Sequence, residues 1–445
     1  QEAVTSAGIN LKELQNLLAD FAPQSVLKAT GVSEKAFKAT VKDLSTIQPV
    51  VVMAGEAVAW QTNGLESVKA IQLLNVLAGS VNQPGGIFLP QPKSPGQLTS
   101  YAGLRKFISK MQDGKIQLAL NWQSNLAFTT PSSLGFKKAL ENVPFLVSFS
   151  QFMDDTTLHA DLIMPDHADL ESWGDVISDR GAKESVIGLL QPVVKPLHDT
   201  RQFPEIMLSA AQQLGGDVAA ALPWGTYLEM LKESVLAHLD SPQEKNAQQL
   251  WQQIQQQGGL FSQPRQTEQS AVVNGQLPKL STPRFIGDSE NYPLHLQVYL
   301  SPAFADGRNA NLPWLQQMPD PMSTVVWDSW VEINPATARS RGIREGDLVE
   351  VASAENSIKL PAVIYPGIHP DVIAIPIGQG HENFGRYAAK RGVNPMQILN
   401  AEEDKEHSLP AWGATRVQLR QVSPDGKLVT SGHPEGSYRR DILGI

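Results

Sequence analysis

The sequence predicts an α/β region with a mainly parallel sheet flanked by helices, followed by a β-barrel. Three observations carry this expectation. Short apolar runs alternate with amphipathic helical stretches over the first 240 residues. A Gln-rich stretch then interrupts the pattern, with 11 Gln among residues 241–270. From Tyr292 onward the apolar period changes from helical to two. The expected organisation is an α/β domain over 1–240, a linker or loosely packed excursion over 241–285, and a barrel over 286–445.

Taken in order, residues 11–21 place apolar side chains at helical spacing, and Ser33 is positioned to cap a second helix through Phe37, Val41 and Leu44. Pro49 to Gly55 is a continuous apolar run ended by glycine, the pattern of a strand buried on both faces. Asn63 can cap the helix from Leu65 to Ala78, which Gly79 closes. Further strands are expected at Ile116–Trp122, Pro144–Phe149 and Leu162–Met164, with a helix opened by Pro131. Residues 200–240 read as helical. In the linker, a solvated helix around Leu250, Trp251 and Ile254 is compatible with the spacing. Beyond it, Leu294, Leu296, Val298 and Leu300 alternate with polar neighbours. The runs Val349–Val351, Ile358–Leu360, Ala362–Tyr365 and Val372–Ile375 are separated by Gly, Pro and Asp turns.

Composition narrows the function. The 445-residue chain is 41% hydrophobic and 18% charged, as a globular protein is. Its net charge of −9 argues against a nucleic-acid partner. It has no cysteine, which removes disulfides, thiolate metal sites and any iron–sulfur cluster held by this chain alone. No apolar run is long enough to span a membrane. The start at Gln1, without Met or a signal peptide, is expected of a processed product or part of something longer.

The densest polar cluster runs from His159 to Glu171, with six potential ligands (His159, Asp161, Asp166, His167, Asp169 and Glu171) in 13 residues. It reads either as a metal site or as a polar turn at the carboxyl edge of a parallel sheet. Its spacing matches no ligand set and H-E-x-x-H is absent, so the turn is preferred and no metal is expected. Asn121 to Asn125 follows a strand and suits either ligand contact at that edge or an Asx-turn. Gly378-Gln-Gly380-His381 resembles a phosphate loop but has no helix directly behind it; a barrel turn is the alternative. His381 and Arg386 would suit an anionic group. Asp154-Asp155 reads as an ordinary surface pair. Tryptophans 122, 173, 314, 327 and 330 read as core or interface residues. Walker A, G-x-S-x-G and Rossmann fingerprints are absent.

These signals occur in an order that resembles a known family. Met53-Ala-Gly55 is followed by Ala70-Ile71, Leu74-Asn75, Ala78-Gly79 and Gly85-Gly86. Asn125 takes the place of the Asn in a G-x-N-P loop. Phe152 to Pro165 resembles F-x-T-E-T-x-x-x-A-D-x-x-L-P, with Glu171 and Gly174 following. Glu332 to Pro335, Ala338, Gly342 and Gly346 to Val349 resemble the opening of a dinucleotide-binding barrel, and Gly380-His381 and Gly392 to Asn394 resemble its later segments. Together they resemble the C-terminal half of the large subunit of molybdopterin oxidoreductases, the dimethyl sulfoxide reductase superfamily, from about residue 22 to 420. Asp306 to Pro321, Trp327 to Pro335 and Asp169 to Asp175 look most like the molybdopterin-like iron–sulfur subunit of alternative complex III.

The resemblance implies a six-stranded-type barrel and places a molybdopterin guanine dinucleotide against the sheet edge and the barrel loops. Asn125 would donate to it and Asp161 would read a guanine edge. Thr157, His381, Arg386 and Asn394 would complete the contact region, vestigially if no molybdopterin is bound. Leu126 departs from the family's Pro. The family's metal-ligating half has no counterpart here, so no catalytic residue and no cofactor is expected of this chain alone. Within the complex III branch, the implied function is that of a scaffold in a quinol oxidoreductase on the periplasmic face. Its implied partners are a cysteine-rich iron–sulfur segment, a multihaem cytochrome c and quinol-binding membrane subunits. Alternatives are half of a genuine molybdenum bis-dinucleotide oxidoreductase and a free-standing binding protein.

Overall fold

A computed structural model describes residues 8–88, 99–177, 186–238, 247–261, 277–404, 406 and 408–431. The chain forms two compact units, each assembled from separated stretches. One comprises residues 1–59, 65–98 and 166–281; the other comprises 60–64, 99–165 and 282–445.

Among the described residues the strands fall into four groups. β1 (Leu118–Asn121), β2 (Phe145–Ser148) and β3 (Leu162–Ile163) form a parallel sheet in that order. β4 (Gly174–Ile177), β5 (Val186–Leu190) and β6 (Gly259–Phe261) form an antiparallel one. β7 (Leu294–Leu300), β8 (Val331–Ile333), β9 (Leu348–Ala352), β10 (Ser357–Ile364), β11 (Val372–Ile377) and β14 (Arg416–Ser423) close a six-stranded barrel in the order β10-β8-β11-β7-β14-β9. A two-stranded pair, β12 (Glu403–Asp404) and β13 (Leu409–Pro410), is inserted before β14. The α/β-plus-barrel class expected from the sequence is therefore the fold.

The first unit is largely helical. Its opening helices, Leu11–Ala19 and Glu34–Thr46, are capped by the Asn10 and Ser33 side chains, which accept from first-turn amides. Helix Gly64–Leu77 ends at Gly79 in the left-handed region (φ 69°). Pro49 to Gly55 is not a strand. Asn75, fully buried on that helix, takes the role of a neighbouring strand: its Oδ1 accepts from the Val52 amide at 2.8 Å and its Nδ2 donates to the Val52 carbonyl at 2.8 Å. With its N–H and C=O satisfied by a side chain, Val52 needs no strand partner, and Met53 is 82% exposed. Within the Gln-rich stretch, residues 247–261 differ from a solvated linker, and 241–246 and 262–276 lie outside the described residues. Helix Ala247–Gln257 buries Trp251 and Ile254 against Ile187, Leu231 and Val235, because its few apolar residues share one face.

In the second unit, helices Tyr101–Gln112 and Phe136–Leu140 cover one face of β1–β2–β3 through Ile108, Met111, Phe136 and Leu140, against Leu146. The barrel interior is filled by the period-two positions: Leu294, Leu296, Val298, Val349, Val351, Ile373 and Ile375 are all buried. Leu300 departs from this pattern at the strand end and lies exposed. Among the described residues, no helix is long and apolar enough to cross a membrane.

Candidate functional site

The carboxyl ends of β1 and β2 meet the barrel loop that follows β11, all within the second unit. Asp155 sits at the centre. Its Oδ2 is 2.7 Å from His381 Nδ1 and accepts from Asn125 Nδ2 at 3.1 Å; its Oδ1 accepts from the Glu382 and Asn383 amides at 2.7 and 3.2 Å. Asp155 and His381 are each 2% exposed. Burial by itself would raise the Asp155 carboxyl, but the hydrogen bonds from His381 and Asn125 and the backbone donors outweigh it and hold it below the usual carboxylate range.

The remaining neighbours are equally committed. His381 Nε2 lies 3.1 Å from the Gly307 carbonyl, and its ring stacks on Phe128 at 3.6 Å between centroids, 9° from parallel. Asn125 does not form the Asx cap that its position suggests. Its Oδ1 accepts instead from the Thr156 amide at 3.0 Å and the Thr156 hydroxyl at 2.9 Å. The Asp154 carboxylate caps the short turn that follows, accepting from the Thr156 and Thr157 amides. Thr157 Oγ1 and Ser148 Oγ share a hydrogen bond of 2.8 Å.

Of the six residues expected from sequence to contact a dinucleotide, Asn125 and His381 converge directly on Asp155. Asn394 joins the same loop packing by donating from Nδ2 to the Phe128 carbonyl at 2.8 Å while its Oδ1 accepts from the Met396 amide. Thr157 is buried one turn away. Asp161 is elsewhere: its Oδ2 accepts from the Leu146 amide at 2.7 Å and its own amide donates to the Leu146 carbonyl, clamping the entry to β3. Arg386 is exposed, with its guanidinium 4.9 Å from the Tyr387 ring centroid. The Asp154-Asp155 pair corrects the surface reading, since both are buried. Its signal was half legible: Asp followed by Thr two and three residues on spells a turn cap, which accounts for Asp154 and leaves Asp155 free to reach across.

The polar run 159–171 does not converge on one point. Asp166 accepts from the Phe203 amide, His167 Nδ1 lies 2.7 Å from Thr200 Oγ1, and Glu171 accepts from the Leu197 and Ala168 amides. Gly378 to His381 is a barrel turn: the Gly380 amide donates to the Arg391 carbonyl and the Lys390 amide to the His381 carbonyl. A Cβ on Gly380 would stand 2.1 Å from the Asn394 nitrogen, so its lack of a side chain serves loop-on-loop packing.

The molydopterin dinucleotide binding domain family matches residues 314–405. The menaquinone reductase molybdopterin-binding-like subunit of Nitratidesulfovibrio vulgaris is 27% identical over 94% of this chain and 59% of its own length. The molybdopterin-containing subunit of arsenate respiratory reductase from a Shewanella species is 24% identical over 91% of this chain and 61% of its own. The chain is similar to large subunits of the molybdopterin oxidoreductase superfamily. It corresponds to the C-terminal region of the large subunit and spans about three-fifths of those relatives. Acetylene hydratase from Pelobacter acetylenicus shares the fold, with a TM-score of 0.68 over 92% of this chain and 66% of that one, at 17% identity.

In this arrangement Asn125, Asp155 and His381 bond to one another and to the backbone. Phe128 lies flat on one face of the His381 imidazole. A cavity beside the loop, lined by Ser301, Phe304, Gln316, Trp327 and Trp330, has room of about 20 Å³, on the order of one water.

Proposed function

We propose that this chain is the scaffold portion of the large subunit in a membrane-associated quinol oxidoreductase of the alternative complex III type, with no molybdenum at its sheet edge. The observation that carries the reading is the Asp155–His381 pair, which ties the barrel loop to the sheet edge with protein groups alone. The similarity to a menaquinone reductase subunit described as molybdopterin-binding-like supports the same reading. In this role the chain holds an adjoining iron–sulfur segment in register, at the periplasmic face, beside a multihaem cytochrome c and quinol-binding membrane subunits. Electrons pass through clusters and haems in those partners. What this chain contributes is a rigid, water-excluding wall, for which a packed barrel is suited.

The similarity to an arsenate respiratory reductase subunit favours a second reading, in which the chain is the C-terminal part of a genuine molybdenum enzyme. Metal analysis of the purified native assembly separates the two. Iron without molybdenum is the expected result; one molybdenum per large subunit would sink the first reading.

A further inference from the structure

The loop between β7 and β8 encloses a small cavity within the second unit. Its wall carries Phe304, Trp327 and Trp330, with Met318 at the rim, where it is 43% exposed. Aromatic rings present a negative face, which attracts a cation. Two carboxylates also line the wall, Asp320 and Asp328. Asp320 is spent: it accepts from the Met322 and Ser323 amides and the Ser323 hydroxyl. Among the described residues Asp328 accepts one hydrogen bond, from the Ser329 amide at 2.7 Å. Burial pushes its carboxyl up, and the Ser329 amide and the Arg391 guanidinium do not offset that. Arg391 sits over the Trp327 ring instead, 5.3 Å from its centroid, and makes no ion pair with Asp328. Gln316, also on the wall, donates to the Ala310 carbonyl and to Gln379 and brings no charge. The same loop is strained. Thr324 and Trp327 hold φ of 60° and 64°, a left-handed region that β-branched and bulky residues rarely adopt. Strain of this kind collects at ligand clamps.

A carboxylate drawn in among aromatic rings, with no cation of its own, is half of a pair. The room of about 20 Å³ sets the size of the other half. That is space for one water or one ammonium nitrogen, and too little for a guanidinium or a quaternary ammonium. We propose that this cavity binds the primary ammonium head of an alkylamine. The nitrogen sits at Asp328 against the Trp327 and Trp330 rings, and the alkyl stem leaves over Met318. A metal ion is the poorer occupant, since hard cations take about six or more oxygen ligands and the wall offers one free carboxylate. Water alone leaves the charge of Asp328 unmatched. The apolar rim suits a methylene stem, as it does for a snorkelling lysine. The head group has two sources, a free amine or a lysine side chain of another polypeptide. The site stands whether or not the assembly holds molybdenum or oxidises quinol.

Isothermal calorimetry on the full 445-residue chain, with chloride salts at constant ionic strength, tests this. n-Butylammonium is expected to give saturable heat where sodium gives none. Tetramethylammonium is too bulky for the room, and n-butanol lacks the charge. Each is expected to bind at least about tenfold more weakly. Asp328→Asn keeps the shape and removes the charge, and should weaken n-butylammonium at least about tenfold. The proposal is overturned if n-butylammonium gives no saturable heat, if n-butanol or tetramethylammonium binds as well, or if Asp328→Asn binds undiminished. If Asp328→Asn fails to fold, the comparison of the three ligands on the parent chain decides the matter. The native assembly separates the two sources. Binding of n-butylammonium retained there identifies a free amine. Binding lost there, with carbodiimide coupling Asp328 to a lysine of another polypeptide, identifies that side chain. Binding lost without such coupling counts against the site.

Discussion

The Asp155 carboxylate and the His381 imidazole lie 2.7 Å apart although 226 residues separate them in sequence. The contact pins the barrel loop after β11 to the carboxyl edge of a parallel sheet, in a spot closed to water. Asp155→Ala would leave His381 Nδ1 and the amides of Glu382 and Asn383 without their acceptor. Breaking one side of a buried polar pair costs about 3–5 kcal/mol. Chemical denaturation followed by tryptophan fluorescence should show a loss of that size, whereas substitution of the exposed Arg386 by Ala should change stability by less than about 0.5 kcal/mol.

The same carboxylate predicts a pH dependence. Its pKa in the folded chain lies below the usual value, so around that range the unfolded chain binds more protons than the folded one, and stability rises with pH. The contribution of Asp155 is complete above about pH 4, the unfolded value, and is lost as the pH falls through the lower folded value. The stability difference between the parent chain and Asp155→Asn should therefore shrink on acidification below about pH 4. A difference that grows there would contradict the assignment.

Asn75 tests the replacement of a strand by a side chain. Asn75→Leu keeps the branching and heavy-atom count but removes both bonds to Val52. The expected cost is about 2 kcal/mol, from two polar groups left to find other partners. Hydrogen exchange at the Val52 amide should accelerate markedly while exchange at the barrel amides stays unchanged.

Gly380 and Gly385 form an internal control. Both have positive φ, at 96° and 70°. Gly385→Ala meets nothing within 4 Å and should cost only the left-handed backbone penalty of about 1–2 kcal/mol. Gly380→Ala drives a methyl into the Asn394 nitrogen and should cost more than about 3 kcal/mol as the loop is forced off its seat. Thermal unfolding, with limited proteolysis of residues 378–394, reads both.

Trp251→Ala tests whether the Gln-rich stretch is part of the first unit's core. Trp251 is 7% exposed and packs within the cluster of Leu231 and Val235. A loss of about 3–5 kcal/mol is expected for such a truncation, against nearly none for a solvated linker. Far-UV circular dichroism during denaturation would show the first unit unfolding earlier.

Much of the fold was legible in the residues themselves. Local rules act within a few positions, and the sequence displays those positions side by side. Ser33 caps a helix because its hydroxyl reaches an amide three residues on. Gly79 ends one because it has no side chain to clash in the left-handed region. The period-two runs from Leu294 onward had to become strands with one face inside a barrel.

Other outcomes depended on residues far apart in the chain. An apolar run such as Pro49–Gly55 announces that it is apolar, but not whether a strand or the Asn75 amide will satisfy its backbone. The doublet Asp154-Asp155 looks the same in water as in a core, and only the arrival of the loop carrying His381 buries it. Asn125 and His381, expected from sequence at one site, both bond to Asp155 in the folded chain. A hydrogen bond between distant residues is decided by where the backbone brings them, and a desolvated polar atom takes whichever partner is then within reach.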